Sequence, residues 1–324
     1  MTAFLASQPR ILVIRGGALG DFVVTLPAIR LLRESFPDAR LEILGYKHII
    51  ALAENRFYAD AARSIEYGPV AAFFSRNAAL DPELSDYFAS FQQIVSYLYD
   101  PDGIFDANLR RAGAKNILQA YRKLDDSDLA ARQLARPLEQ LALYLEDPAA
   151  RIHPAEEDRR AALEFLGPPA ATPLVAIHPG SGSPRKNWPV DHWLELARLL
   201  ATARPEAELL LIGGEADHAQ LTAFSNHWGS RKLRFARDLP LPHLAAILER
   251  CRLFLGHDSG ISHVAAAVET PSVLLFGPTD PDVWKPANPN VTVLSASESG
   301  LENLTVDEVY AAACKVLDVD ARQS

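Results

Sequence analysis

Short apolar runs recur along the chain at intervals that leave room for one helix between each pair, the pattern of an alternating α/β protein. In the first half these runs are ILVIR (11–15), LEILGY (41–46), SIEYG (64–68), QIVSYLY (93–99) and NILQAY (116–121). Helical spacing is clearest in DFVVTLPAIRLLRESF (21–36) and DLAARQLARPLEQLALYL (128–145). The pattern restarts with PLVAIH (173–178), AELLLIGG (207–214), KLRFARDL (232–239), RLFLGHD (252–258), PSVLLFG (271–277) and VTVLSA (291–296). Helices are expected between them at 189–203, 241–251 and 262–268, with a last one over TVDEVYAAACKVLDV (305–319). The stretch FLGPPAATP (165–173) has the proline and small residues of a linker. The reading is two doubly wound, Rossmann-like domains, residues 1–166 and 167–324, with facing edges that form a cleft.

In open parallel sheets ligands bind beyond the carboxyl ends of the strands. The chemically suggestive residues follow strands here: RGGALGD (15–21), HPGSGSPRKNWP (178–189), GGE (213–215), GHDSGISH (256–263) and FGPTDP (276–281). Gly16, Gly17 and Gly20 mark a strand-to-helix turn, and Asp21 opens the helix. The spacing is GGxxG, and no acidic residue closes the second run, so the dinucleotide fingerprint is absent. Asp21 suits either a helix cap or a proton acceptor for a sugar hydroxyl; it would repel a phosphate at the helix start. The loop at 178–189 combines glycines, hydroxyls, Arg185 and Lys186 beside a helix start, which a phosphate would favour. Ser259 and Gly260 lead into another helix start, giving a second positive feature for a diphosphate. Glu215 can accept hydrogen bonds from ribose hydroxyls.

Composition narrows the class further. A formal net charge of −9 argues against general nucleic-acid binding. Cys251 and Cys314 stand far apart and suggest neither a disulfide framework nor a metal site. The opening residues do not read as a signal peptide, and no apolar run has the length of a membrane span. A cytoplasmic protein with peripheral contact at the inner membrane is expected. Within the acidic chain, residues 108–123 hold five cations, Arg110, Arg111 and Lys115 among them, and no acid. Such a patch suits a phosphorylated or carboxylated acceptor or an anionic membrane, or is a solvated helix face. Asp100 and Asp102 form a DxD in the wrong half for a donor, and no metal is expected there.

Three stretches carry a resemblance that runs nearly end to end: ILVIRGGALGDFVVTLPAIRLLRESFPDARLEIL (11–44), HPGSGSPRKNWPVDHWLELA (178–197) and GHDSGISHVAAAVETPSVLLFGPTDP (256–281). With them the chain resembles the lipopolysaccharide heptosyltransferase family, glycosyltransferase family 9, whose members have the GT-B fold. The resemblance implies an inverting glycosyltransferase that needs no metal or other cofactor and moves a sugar, heptose from ADP-heptose, to a lipopolysaccharide-type acceptor. It implies that Asp21 is the base. Ser181, Gly182 and Lys186 would hold the donor diphosphate, with Lys186 also stabilising the leaving group. Glu215 would meet the ribose, Leu239 the adenine, and Asp258, Ser259, Gly260 and His263 the donor sugar and phosphate. Gly16, Gly17, Gly20, Arg110, Arg111 and Lys115 fall on the acceptor side. The resemblance thins over residues 68–145, where the acceptor is expected to bind. A non-catalytic nucleotide-sugar-binding or scaffolding protein of the same fold is the alternative.

Overall fold

The computed structural model describes residues 8–168, 172–214, 217–228, 233–296 and 300–320. Among these residues eleven strands form two parallel sheets. The first contains β1 (Arg10–Arg15), β2 (Arg40–Gly45), β3 (Ala61–Ser64), β4 (Gln93–Ser96) and β5 (Ile117–Gln119), in the order β3-β2-β1-β4-β5. The second contains β6 (Leu174–Ile177), β7 (Glu208–Gly213), β8 (Leu233–Arg237), β9 (Leu253–His257), β10 (Ser272–Phe276) and β11 (Val291–Ser295), in the order β11-β10-β9-β6-β7-β8. Both sheets start in the middle and wind outwards twice. In the second sheet the direction reverses between β6 and β9, the kind of switch point beyond which open parallel sheets bind ligands.

The first sheet carries α1 (Leu19–Ser35), α2 (Lys47–Ile50), α3 (Pro82–Ala89), α4 (Ile104–Arg111) and α5 (Ala130–Ala135). With the second go α6 (Glu156–Leu166), α7 (Val190–Ala203), α8 (His218–Trp228), α9 (Leu241–Leu248), α10 (Gly260–Ala267), α11 (Pro281–Trp284) and α12 (Val306–Asp320). Parallel strands are covered on both faces, so the central ones read as unbroken apolar runs. Ile11 to Ile14 in β1 and all of β6, β9 and β10 are buried accordingly. One core gathers Leu12, Ile14, Phe73, Phe88, Phe105 and Leu109. The other is built around Trp188 and Trp193, whose rings meet edge-to-face at 5.0 Å.

Two elements differ from the sequence pattern. The third strand is Ala61–Ser64, so SIEYG (64–68) overlaps it only at Ser64, and Ile65, Glu66 and Tyr67 lie in the turn after it. This edge strand is half-buried throughout, so its residues carry no apolar run, whereas Ile65 packs on the core from the turn. The helix expected over 128–145 is only Ala130–Ala135, followed by a 3-10 segment, Arg136–Leu141. Pro137 has no N–H to donate and its ring would clash with the carbonyl of residue 133, so the α-helix stops.

The chain divides into two compact units, one running through Leu124 and adding Ala131–Asp147, the other comprising Asp125–Ala130 and everything from Pro148 onwards. Residues 148–166, ahead of the proline-rich stretch, make their contacts within the second unit. Arg159 on α6 holds Glu249 through two hydrogen bonds of 2.9 Å, and the Ile152 amide donates to the Ala267 carbonyl at 2.8 Å.

Candidate functional site

Beyond the carboxyl edge of the second sheet, three loops follow three neighbouring strands, β7, β6 and β9. The loop after β6 begins with a buried histidine, His178, and turns at Gly182, whose φ is +73°. A side chain at position 180 would place its Cβ 1.7 Å from Asp217 Oδ1, so only glycine lets the loops after β6 and β7 touch. The Ser181 hydroxyl lies 2.6 Å from Asn187 Oδ1 and 2.8 Å from the Ser183 carbonyl, and its one proton serves either of them. A short 3-10 turn, Pro184–Lys186, then presents Arg185 to solvent and Lys186 inward. Lys186 Nζ donates to Asp258 Oδ2 at 2.5 Å. Two of the residues that sequence reasoning placed at the donor thus form an ion pair, 72 positions apart in the chain.

Behind this pair lies a buried polar network. Asp217 accepts from the Gly214 amide at 3.0 Å and faces His178 Nε2 at 3.2 Å. Burial alone would raise the Asp217 carboxyl, but the hydrogen bond and charge of His178 and the Gly214 amide outweigh it, leaving the group below the usual carboxylate range. The other His178 nitrogen, Nδ1, faces the Ser259 hydroxyl at 3.4 Å. Ser259 is the N-cap of α10 and accepts from the Ser262 amide at 3.4 Å. The Ser262 hydroxyl donates in turn to the His257 carbonyl. Burial pushes the His257 imidazole down to about 3, so it is neutral. Its Nε2 accepts from the Trp188 amide at 2.7 Å, which leaves the proton on Nδ1, 3.2 Å from the Gly180 carbonyl. The indole of Trp188 donates to the Leu304 carbonyl at 2.9 Å and roots the loop in the core. The first-turn amides of α10, at Gly260 and Ile261, have no partner within their own helix and carry its positive end. His263 is buried one turn in, and Leu239 is half-buried between β8 and α9. Glu215 lies outside the described residues.

In the first unit, Gly16 and Gly17 follow β1, with Gly17 at a φ of +93°. Gly20 lies in the first turn of α1, whose N-cap is Ala18, so Asp21 stands at the third helical position rather than at the cap. Its Oδ2 reaches back to accept from the Ala18 amide at 2.9 Å, half of a capping box. Arg15 donates to the Asp21 carbonyl at 3.0 and 3.2 Å and lies 3.5 Å from Oδ1. Among the described residues Asp21 Oδ1 has no shorter partner, and the side chain is over one-third exposed. The basic stretch is less free than its sequence suggests. Arg110 pairs with Asp106 at 2.8 Å, and Arg111 donates to Asn108 Oδ1 at 2.6 Å, while Lys115 is exposed. Asp100 accepts from the Asp106 amide at 2.9 Å and Asp102 lies 3.6 Å from Arg76. Among the described residues no three His, Cys, Asp or Glu side chains gather as a metal would need, and no helix is long and apolar enough to cross a membrane.

Sequence reasoning passed over His178, Gly180, Asp217 and His257. A signal was there: each histidine closes an apolar run, His257 as the last residue of β9 and His178 as the first after β6, where a polar side chain is buried and must find partners.

A family model described as glycosyltransferase family 9 (heptosyltransferase) matches residues 109–311. The chain belongs to this family. It is 31% identical over 127 residues to lipopolysaccharide heptosyltransferase 2 of Salmonella typhimurium, a match spanning 38% of this chain and only 36% of that protein. With lipopolysaccharide heptosyltransferase 3 of Escherichia coli K12 it shares 24% identity over 93% of this chain and 96% of that one. Among solved structures, a family 9 glycosyltransferase from Veillonella parvula superposes with a TM-score of 0.82 at 22% identity, covering 96% of this chain and 98% of its own. The E. coli ADP-heptose lipopolysaccharide heptosyltransferase II gives a TM-score of 0.76 at 18% identity, covering 96% and 99%. The fold is the GT-B fold expected from the sequence.

Proposed function

We propose that this protein transfers heptose from ADP-heptose to a lipopolysaccharide-type glycan, with inversion and without a metal ion. The observation that carries this reading is the Lys186–Asp258 pair beside the start of α10. A diphosphate arriving there offers Lys186 a second acceptor and sits against the amides of Gly260 and Ile261, so the cation can shift from carboxylate to phosphate. Asp258, partly released, then accepts from the donor sugar. Ser181, Gly182 and His263 complete the diphosphate and sugar contacts, Glu215 takes the ribose and Leu239 the adenine. As the acceptor oxygen bonds to the anomeric carbon and the bond to the diphosphate breaks, Asp21 takes the hydroxyl proton and Lys186 stabilises the charge left on ADP. One displacement from the opposite face inverts the anomeric centre.

Gly16, Gly17 and Gly20 keep the Asp21 turn narrow for the acceptor, and Arg110, Arg111 and Lys115 offer cations to its anionic groups. A nucleotide-sugar donor places the reaction in the cytoplasm, with peripheral contact at the inner membrane where a glycolipid acceptor is anchored. Incubation with ADP-heptose and a heptose-deficient lipopolysaccharide core, followed by mass spectrometry, should show ADP release and one added heptose. Turnover should persist in EDTA. No transfer despite tight ADP binding would overturn the enzymatic reading, and loss in EDTA with recovery on adding Mg²⁺ or Mn²⁺ would overturn the metal-free one.

A further inference from the structure

The loops after β4 and β5 place two tyrosines where buried residues end and solvent begins. In the stretch after β4, Tyr97 is buried and Tyr99 is 68% exposed; after β5, Tyr121 is 41% exposed. The two exposed rings meet each other at 5.1 Å between centroids, tilted by 54°. Together they form an aromatic ledge held by its own ring contact. Large aromatic surface left in water is costly to hydrate and marks places where something apolar docks. β4 lies beside β1 and β5 beside β4, so the ledge borders the loop carrying Asp21. A Cβ at Gly16 would lie 3.0 Å from Leu98, one residue before Tyr99, and Gly16 directly follows Arg15, which holds the Asp21 backbone. Arg122 and Lys123 follow Tyr121 and are exposed, with no acidic partner among the described residues.

We infer that Tyr99 and Tyr121 form a stacking platform for a pyranose ring of the acceptor, one that bears a carboxylate or phosphate for Arg122 and Lys123. The C–H face of a pyranose is flat and apolar, matches a tyrosine ring, and leaves its hydroxyls at the rim. This inference rests on the acceptor role proposed above for the first unit. It assigns the acceptor subsite to the loops after β4 and β5, so the platform would set which sugar this chain accepts.

The test uses the full chain and a de-acylated, heptose-deficient lipopolysaccharide core oligosaccharide, with Tyr99→Ala, Tyr121→Ala, the two phenylalanine variants and Tyr144→Ala. Tyr144 is 66% exposed elsewhere in the first unit and serves as the control. The alanine variants should raise KM for the oligosaccharide at least tenfold, with ADP affinity and kcat at saturation little changed. The phenylalanine variants should recover most of that loss, and Tyr144→Ala should behave as the wild type. Saturation-transfer NMR should place the sugar C–H protons against tyrosine rings. Alanine variants with wild-type KM would overturn the platform and leave the transferase reading intact. A wild type that binds ADP-heptose yet neither binds nor modifies the oligosaccharide would overturn both.

Discussion

Asp21 has a structural task and a proposed chemical one, carried by different oxygens. Oδ2 accepts from the Ala18 amide, while among the described residues Oδ1 faces the Arg15 guanidinium at 3.5 Å. Asparagine can keep the first contact through its own Oδ1 but cannot take a proton. Asp21→Asn should therefore change unfolding free energy by less than about 1 kcal/mol, since the cap survives and a half-exposed ion pair contributes little. Turnover should fall by about 10²–10⁴-fold, the usual contribution of a placed base. ADP affinity, read by calorimetry, should not move. Near-normal turnover in a folded variant would leave Asp21 with capping alone.

At the scale of elements, the site depends on how α10 begins. Ser259 caps the helix, and its hydroxyl is held from behind by His178 and Asp217. Ser259→Ala should cost about 1 kcal/mol of stability through the lost cap. Ser259→Asp caps as well as serine and should leave stability nearly unchanged, yet it sets a carboxylate where the diphosphate is proposed to bind. ADP affinity should then drop by about tenfold or more, roughly 1.4 kcal/mol. Equal affinity in the aspartate variant would place the diphosphate elsewhere. Elements of this kind were mostly legible in the sequence. Strands buried on both faces announce themselves as apolar runs, and the residues following them mark the edge where Lys186, Asp258 and Ser259 meet. β3 was not legible, because its residues, Ala61, Ala62, Arg63 and Ser64, are all half-buried and form neither an apolar run nor an alternation. Pro137 was visible, but the apolar spacing around it suggested more helix than its ring permits. The network of His178, Asp217 and His257 was hidden for another reason. His178 and Asp217 lie in the loops after β6 and β7 and His257 ends β9, and only folding shows that Gly180 lets the loops touch.

Across the whole molecule, one buried histidine sets an acid limit. His257 is held neutral down to about 3 in the folded chain, against an ordinary value of 6.5. Between those values the unfolded chain binds a proton that the folded chain refuses. Stability is therefore full above about pH 6.5 and falls as pH drops towards 3, by ~1.4 kcal/mol per pH unit at most from this group. Asp217 acts in the same direction at lower pH, since its depressed carboxyl contributes stability that is lost on protonation. Urea unfolding at pH 7, 5.5 and 4.5 should show this decline. His257→Gln, whose amide can accept from Trp188 and donate to Gly180, should flatten it. An equally steep decline in that variant would assign the limit to other groups.

The two units are not consecutive along the chain: Asp125–Ala130 belongs with the second, and Ala131–Asp147 returns to the first. During synthesis, then, the first unit can complete its contacts only after a six-residue stretch that belongs with the second has already left the ribosome. The packing of that stretch is complete only once the second unit has emerged. The chain is thus stitched rather than strung, and no single cut would release both halves whole.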